Sequence, residues 1–164
     1  MSKLELKIYP ESCLRRKTDS IKQFRDNLSE VLKTMSDIMY INNGIGLAAT
    51  QVGLEGSFLV IDIGEGMMPF INPEILERSK KRIRMEEGCL SLPGVAVDVS
   101  RSEKIKVRAQ NEKGESFVGE FAGLMARVIQ HEVDHLNGKL IIDYMNPAKK
   151  VIAKWKLVRE KSKG

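Results

Sequence analysis

The stretch QHEVDHLNG, Gln130 to Gly138, constrains this chain more than any other feature. His131 and His135 are its only two histidines, and they stand four residues apart. On a helix that spacing puts both imidazoles on one face, where they can grip a single metal ion. Glu132 lies beside them and can reach a metal-bound water as general base. The chain must therefore fold so that this helix, expected from about 122 to 137 and closed by Gly138, meets further ligands from elsewhere.

A catalytic metal usually has three protein ligands and one open position. The text H-E-x-x-H-x-x-G matches the start of a motif whose third histidine would fall at 141, where this chain has Ile141. A downstream glutamate is the other common solution. Only Glu160 is available, inside a basic tail. Upstream, Cys89 in EEGCLSLPG offers a soft thiolate, and Gly88 lets the backbone come close to a metal. A free cysteine is usually a small buried hydrophobe. Beside a two-histidine site that lacks a third ligand, Cys89 is read as that ligand. Cys13 has no such context and is read as structural. Two cysteines do not make a disulfide framework.

With 164 residues, 42% hydrophobic and 30% charged, the composition suits one soluble globular domain. No apolar run approaches a membrane span. The N-terminal MSKLELKIYPESCLRRK lacks an apolar signal core and carries Glu5 and Glu11, so a cytoplasmic location is expected. Residues 147–164 carry +6 against a whole-chain net charge of +5, which leaves about −1 on residues 1–146. The division expected is a catalytic domain over 1–146, with 147–164 as a basic helix belonging to the same domain. A basic tail suggests an anionic partner.

Ser20 with Gln23 makes a capping box, and Ile21, Phe24, Leu28, Val31, Met35 and Ile38 recur at helical spacing. A long N-terminal helix is expected, ending at Asn42-Asn43-Gly44. SFLVIDI reads as a strand, and FINPEIL as a weaker one interrupted by Pro73. KIKVRAQNEKGESFVGEF alternates about Asn111–Gly114 as a β-hairpin. A C-terminal helix starts at Asn146-Pro147, with Val151, Trp155 and Val158 along its apolar side. Strands and helices do not alternate regularly, so the fold class is α+β. Gly44-Ile45-Gly46-Leu47-Ala48-Ala49 fits a dinucleotide-loop pattern, with Asp62 as an acidic partner. Such a loop must follow a strand and open a helix. Here the order is reversed, and the phosphate reading is set aside.

Together, GIGLAATQ (Gly44 to Gln51), EGCLS (Glu87 to Ser91) and QHEVDHLNG resemble the motifs of peptide deformylase, in order and at suitable separations. The resemblance implies an α+β fold with a central H-E-x-x-H helix packed among mostly antiparallel sheets. It also implies removal of the N-formyl group from the formylmethionine of nascent polypeptides, with release of formate. Carried over, Cys89, His131 and His135 become metal ligands and Glu132 the general acid/base. Gln51 and the Leu90 N–H become oxyanion donors. Gly46 would hydrogen-bond the substrate backbone, while Ile45, Met85, Glu87, Leu124 and Val128 match positions around the methionine pocket. Some members carry an arginine near the substrate backbone. The corresponding place here is Ala96, so no cationic clamp is assigned. The family implies one Fe²⁺ per chain, with Zn²⁺ or another divalent ion able to replace it; His₂Cys suits both. A ribosome contact near the nascent-chain exit is implied for the basic C-terminal helix, and the chain is expected to be monomeric, without a membrane contact. Two rival readings are another H-E-x-x-H metallopeptidase, disfavoured by Ile141, and an RNA-binding protein with a structural metal, for which a fourth ligand is missing.

Overall fold

The computed structural model describes residues 4–23 and 27–163. Its helices are α1 (Leu28–Ile41), α2 (Gly123–Leu136) and α3 (Pro147–Lys161). Strands β1 (Gly46–Ala48), β2 (Phe58–Ile61), β3 (Met68–Arg78), β6 (Lys104–Gln110) and β7 (Ser116–Ala122) form one antiparallel sheet in the order β1-β2-β3-β6-β7. Strands β4 (Arg82–Glu87) and β5 (Val97–Ser102) form a separate antiparallel ribbon. The class is α+β, as expected from the irregular order of elements.

The first helix begins at Leu28, not at Ser20. Ile21 is held by a distant side chain: its N–H donates to Asn72 Oδ1 at 2.7 Å, and its carbonyl accepts from Asn72 Nδ2 at 2.9 Å. Both groups are thereby taken out of any helical ladder. Phe24, read as part of the same stripe, lies outside the described residues. From Leu28 on, Leu28 and Met35 of the stripe are buried and Val31 and Ile38 half-buried against the core, while Leu32 and Met39, outside the expected stripe, are buried beside them. Pro73 does not end its strand. Asn72 adopts a φ of 51°, and the β3–β6 register shifts between Ile71 and Glu74, so the proline sits in a bulge that needs no ladder donor.

The hairpin of β6 and β7 pairs from Lys104 with Ala122 to Gln110 with Ser116, as the alternation predicts. The start of α3 also matches expectation, with Asn146 Oδ1 accepting from the Lys149 N–H at 2.9 Å. The apolar side of α3 does not. Ala153 and Leu157 face inward, whereas Val151, Trp155 and Val158 are exposed, Trp155 at 73%. Trp155 therefore does not anchor the helix. The sequence reading marked the exposed stripe of α3; Ala153 and Leu157, four residues apart on another face, are the ones that fit against the body.

Two cores flank α2. One joins α1, β1–β3, β6 and α2 around Phe70, Leu47 and Ile129. The other gathers Leu14, Leu92, Val97, Val99 and Leu140–Ile142 with Ala153 and Leu157 of α3. α2 is buried around most of its circumference and touches β1, β2, β5 and β7. Gln130 pins it to the end of β5, donating to Ser102 O at 2.9 Å and accepting from Ser102 N at 3.2 Å.

Candidate metal centre and active site

His131 and His135 project from one face of α2, and their Nε2 atoms lie 3.2 Å apart. Cys89, in the turn after β4, places Sγ 3.2 Å from His135 Nε2. The three donor atoms all lie within 4.8 Å of one another. One sulfur and two imidazole nitrogens converging at this spacing suit a tetrahedral divalent ion, whose ligand atoms stand about 3.5 Å apart.

The cluster is braced from behind. His131 Nδ1 meets Glu87 Oε2 at 3.0 Å, the carboxylate support common behind metal-bound imidazoles. Arg101 donates to Glu87 twice, from Nε and Nη2, each at 3.0 Å. Arg127 Nη1 adds a third bond at 2.7 Å. Arg101 Nη1 also reaches Asp134 Oδ2 at 2.6 Å and the Tyr144 hydroxyl at 3.0 Å. Burial would raise the Glu87 carboxyl, but hydrogen bonds from His131 and Arg101 outweigh it and hold it at about 2. Burial likewise opposes the charged form of His131, yet Cys89 and Glu87 raise it to about 10. His135 is pushed well down, by burial first and then by the nearby His131 and Arg101 charges.

Glu132 is buried, and its Oε2 has no hydrogen-bond partner among the described residues. Burial, acting against the His131 and Arg101 charges, lifts its carboxyl to about 7. Such a group can take and return a proton near neutral pH. The GIGLAATQ segment folds over it. A Cβ on Gly46 would stand 2.5 Å from Glu132 Oε1 and 2.9 Å from Val128 Cγ1, and one on Gly44 would stand 2.6 Å from Leu90 Cδ1. The glycines thus let backbone lie directly against α2 and the cysteine turn. Gln51 is fixed in orientation: its Oε1 accepts from Ala48 N–H at 2.9 Å, and its Nε2 points to Ser91 Oγ at 3.2 Å and Cys89 Sγ at 3.6 Å. The Leu90 N–H makes no hydrogen bond among the described residues. Asp62 instead organises a turn, accepting from Gly64 and Gly66 N–H and from Tyr40.

These groups border a cavity of about 660 Å³. Its polar floor includes Gln51, Cys89, His131 and Glu132. Ile45, Met85, Leu90, Leu124 and Val128 supply apolar wall, and Ala96 lies at its margin. Ile45, Met85 and Leu124 are each more than 40% exposed, an apolar surface open to a ligand. Glu87 borders the cavity, but its carboxylate is committed to the ion network behind His131. The sequence reading missed Arg101, Arg127, Asp134 and Tyr144. A signal existed for Arg127, which precedes His131 by one helical turn on the same face.

The family model of polypeptide deformylase matches residues 3–151. The chain belongs to the peptide deformylase family. It is 44% identical to the peptide deformylase of Thermotoga sp. (strain RQ2), over 93% of each chain. It is 46% identical to that of Clostridium botulinum (strain Alaska E43 / Type E3), over 87% of this chain and 97% of the relative. The crystal structure of the Thermotoga maritima peptide deformylase superposes with a TM-score of 0.85 at 43% identity, over 90% of this chain and 100% of that one. The Ehrlichia chaffeensis peptide deformylase in complex with actinonin gives 0.93 at 31% identity over the full length of both. The enzyme is a hydrolase that removes the N-formyl group from N-terminal formylmethionine. Deformylases depend on a metal, and the Cys89, His131 and His135 cluster could hold one.

Proposed function

We propose that Cys89, His131 and His135 hold one Fe²⁺ and that Glu132 moves the proton of the deformylation reaction. The observation that carries this reading is the buried, uncommitted Glu132 carboxylate beside a Cys/His/His cluster on a cavity floor. When bound, a divalent ion there supplies Lewis acidity toward the formyl oxygen and toward water. Glu132 accepts a proton from the attacking water. The Gln51 amide and the Leu90 N–H donate to the oxyanion that develops at the formyl carbon. Glu132 returns the proton to the departing amine as the C–N bond breaks and formate leaves. Ile45, Met85, Leu124 and Val128 enclose the methionine side chain, Glu87 borders that pocket while supporting His131, and Gly46 offers backbone hydrogen bonds. The mixed S/N donor set also accepts Zn²⁺. Anaerobic purification with metal analysis tests the ligand set: about one ion per chain is expected for wild type and a marked loss for Cys89→Ala. Full metal content in Cys89→Ala would remove Cys89 from the set.

The enzyme is proposed to act as a cytoplasmic monomer at the ribosome, near the exit of the nascent chain. No helix among the described residues is long and apolar enough to cross a membrane. Support for the ribosome contact comes from α3, where Lys149, Lys156 and Arg159 are exposed. Deleting α3 would also strip Ala153 and Leu157 from a core, so charge removal is the cleaner test. Replacing those three cations by glutamine should weaken salt-sensitive co-sedimentation with ribosomes and spare formate release. Unchanged co-sedimentation would refute the contact.

A further inference from the structure

We propose that Arg127 is a positioning residue that sets the width of the methionine pocket, an inference that rests on the pocket reading above. The β4–β5 ribbon hydrogen-bonds to no other strand among the described residues, and a two-stranded ribbon is marginal alone. Yet it carries Met85, which lines the pocket, as do Leu124, Arg127 and Val128 on α2. How Met85 stands relative to Leu124 and Val128 therefore depends on what joins ribbon to helix.

Arg127 makes that join with one planar group. It is 7% exposed. Its Nη1 donates to Glu87 Oε1 at 2.7 Å and to Val99 O at 3.0 Å, and its Nη2 donates to Ile83 O at 2.5 Å. The acceptors lie on both strands of the ribbon and flank Met85 on β4. A guanidinium fork fixes such acceptors relative to the helix, whereas a single ammonium cannot hold all of them in the same geometry. Arg101 divides the work differently. It grips Glu87 from Nε and Nη2 and so keeps that carboxylate on His131 without help from Arg127. Gln130 pins the far end of β5 through Ser102. Loss of Arg127 consequently lets the middle of the ribbon swing while the metal ligands stay supported.

The test compares wild type, Arg127→Met and Arg127→Lys, each shown folded by near-ultraviolet circular dichroism. Two quantities are read: the kcat/KM ratio for a formyl-Met against a formyl-Ala peptide, and the rate at which Co²⁺-loaded protein releases its metal to a chelator. In Arg127→Met the ratio should fall about tenfold through a raised KM for the formyl-Met peptide. Arg127→Lys should fall between this variant and wild type. Co²⁺ release should stay within about twofold of wild type. An unchanged ratio in folded Arg127→Met overturns the proposal, as does Co²⁺ release that accelerates in step with the loss of discrimination. Met85→Ala, at an exposed pocket position, separates the two levels of the argument. If it leaves the ratio intact, the pocket reading fails and the inference with it. If it lowers the ratio while Arg127→Met does not, only the role of Arg127 fails.

Discussion

Replacing Gly46 by alanine tests the close approach of the GIGLAATQ segment to α2. The new methyl would stand 2.5 Å from Glu132 Oε1, 3.0 Å from its Cδ and 2.9 Å from Val128 Cγ1. A comfortable carbon–oxygen contact is about 3.3 Å, so the carboxylate must retreat by about 0.8 Å. A misplacement near 1 Å at a reacting group costs roughly 100-fold in rate. Overpacking of this kind destabilises by about 1–3 kcal/mol, a fall in Tm of a few degrees. Gly46→Ala should therefore remain folded, keep its metal and lose about two orders of magnitude in kcat for formate release. Gly88 differs: an added Cβ there would meet no protein atom closer than Val95 O at 4.0 Å, so packing alone does not require glycine beside Cys89. Wild-type kcat in Gly46→Ala would show that Glu132 need not stay where it is, and would refute the reasoning.

Gln51→Ala removes the amide aimed at Ser91 and Cys89 and should lower kcat by about 100- to 1000-fold with little change in metal content; steady-state kinetics beside metal analysis check it. On α3, Leu157→Ala should cost about 2–5 kcal/mol by denaturant melts, because Leu157 is 1% exposed, whereas Trp155→Ala should cost less than about 0.5 kcal/mol. Asp143 accepts from Arg15 at 2.5 Å, Lys150 at 2.6 Å and Leu140 N–H at 2.9 Å. Burial would raise its pKa, but these partners hold it well below the usual carboxylate range. An acid depressed in the fold stabilises it above the unfolded pKa, about 4, and loses that contribution as the pH falls. Asp143→Asn should therefore lower Tm at pH 7 and flatten the decline of Tm between about pH 5 and pH 2.

What the sequence revealed depended on how local each signal was. The α2 histidines, the Asn111–Gly114 hairpin and the Asn146-Pro147 cap each follow from a few neighbouring residues, and the structure has them in place. The start of α1 was misread because its competitor, Asn72, lies 51 residues from Ile21. RIRMEE, now β4, reads as a run of charges. Its strand identity rests on pairing with β5, which its own composition does not reveal. On α3 the period found apolar residues but could not choose the buried stripe, because packing against Leu14 and the Leu140–Ile142 segment decides it. Within the site, Cys89 was legible by the absence of a third ligand near the histidines. Arg101 was not, since a buried arginine looks like any other until its acids are placed beside it, and Arg127 offered only its one-turn spacing from His131.

The central claim is that Glu132 moves the proton while Cys89, His131 and His135 hold the metal. It is tested most directly by measuring metal content and formate release on one anaerobic preparation of Glu132→Ala. The account predicts about one ion per chain, as in wild type, with turnover of a formyl-Met peptide reduced by about 100- to 10,000-fold. Turnover near the wild-type rate in the metal-loaded variant would contradict it.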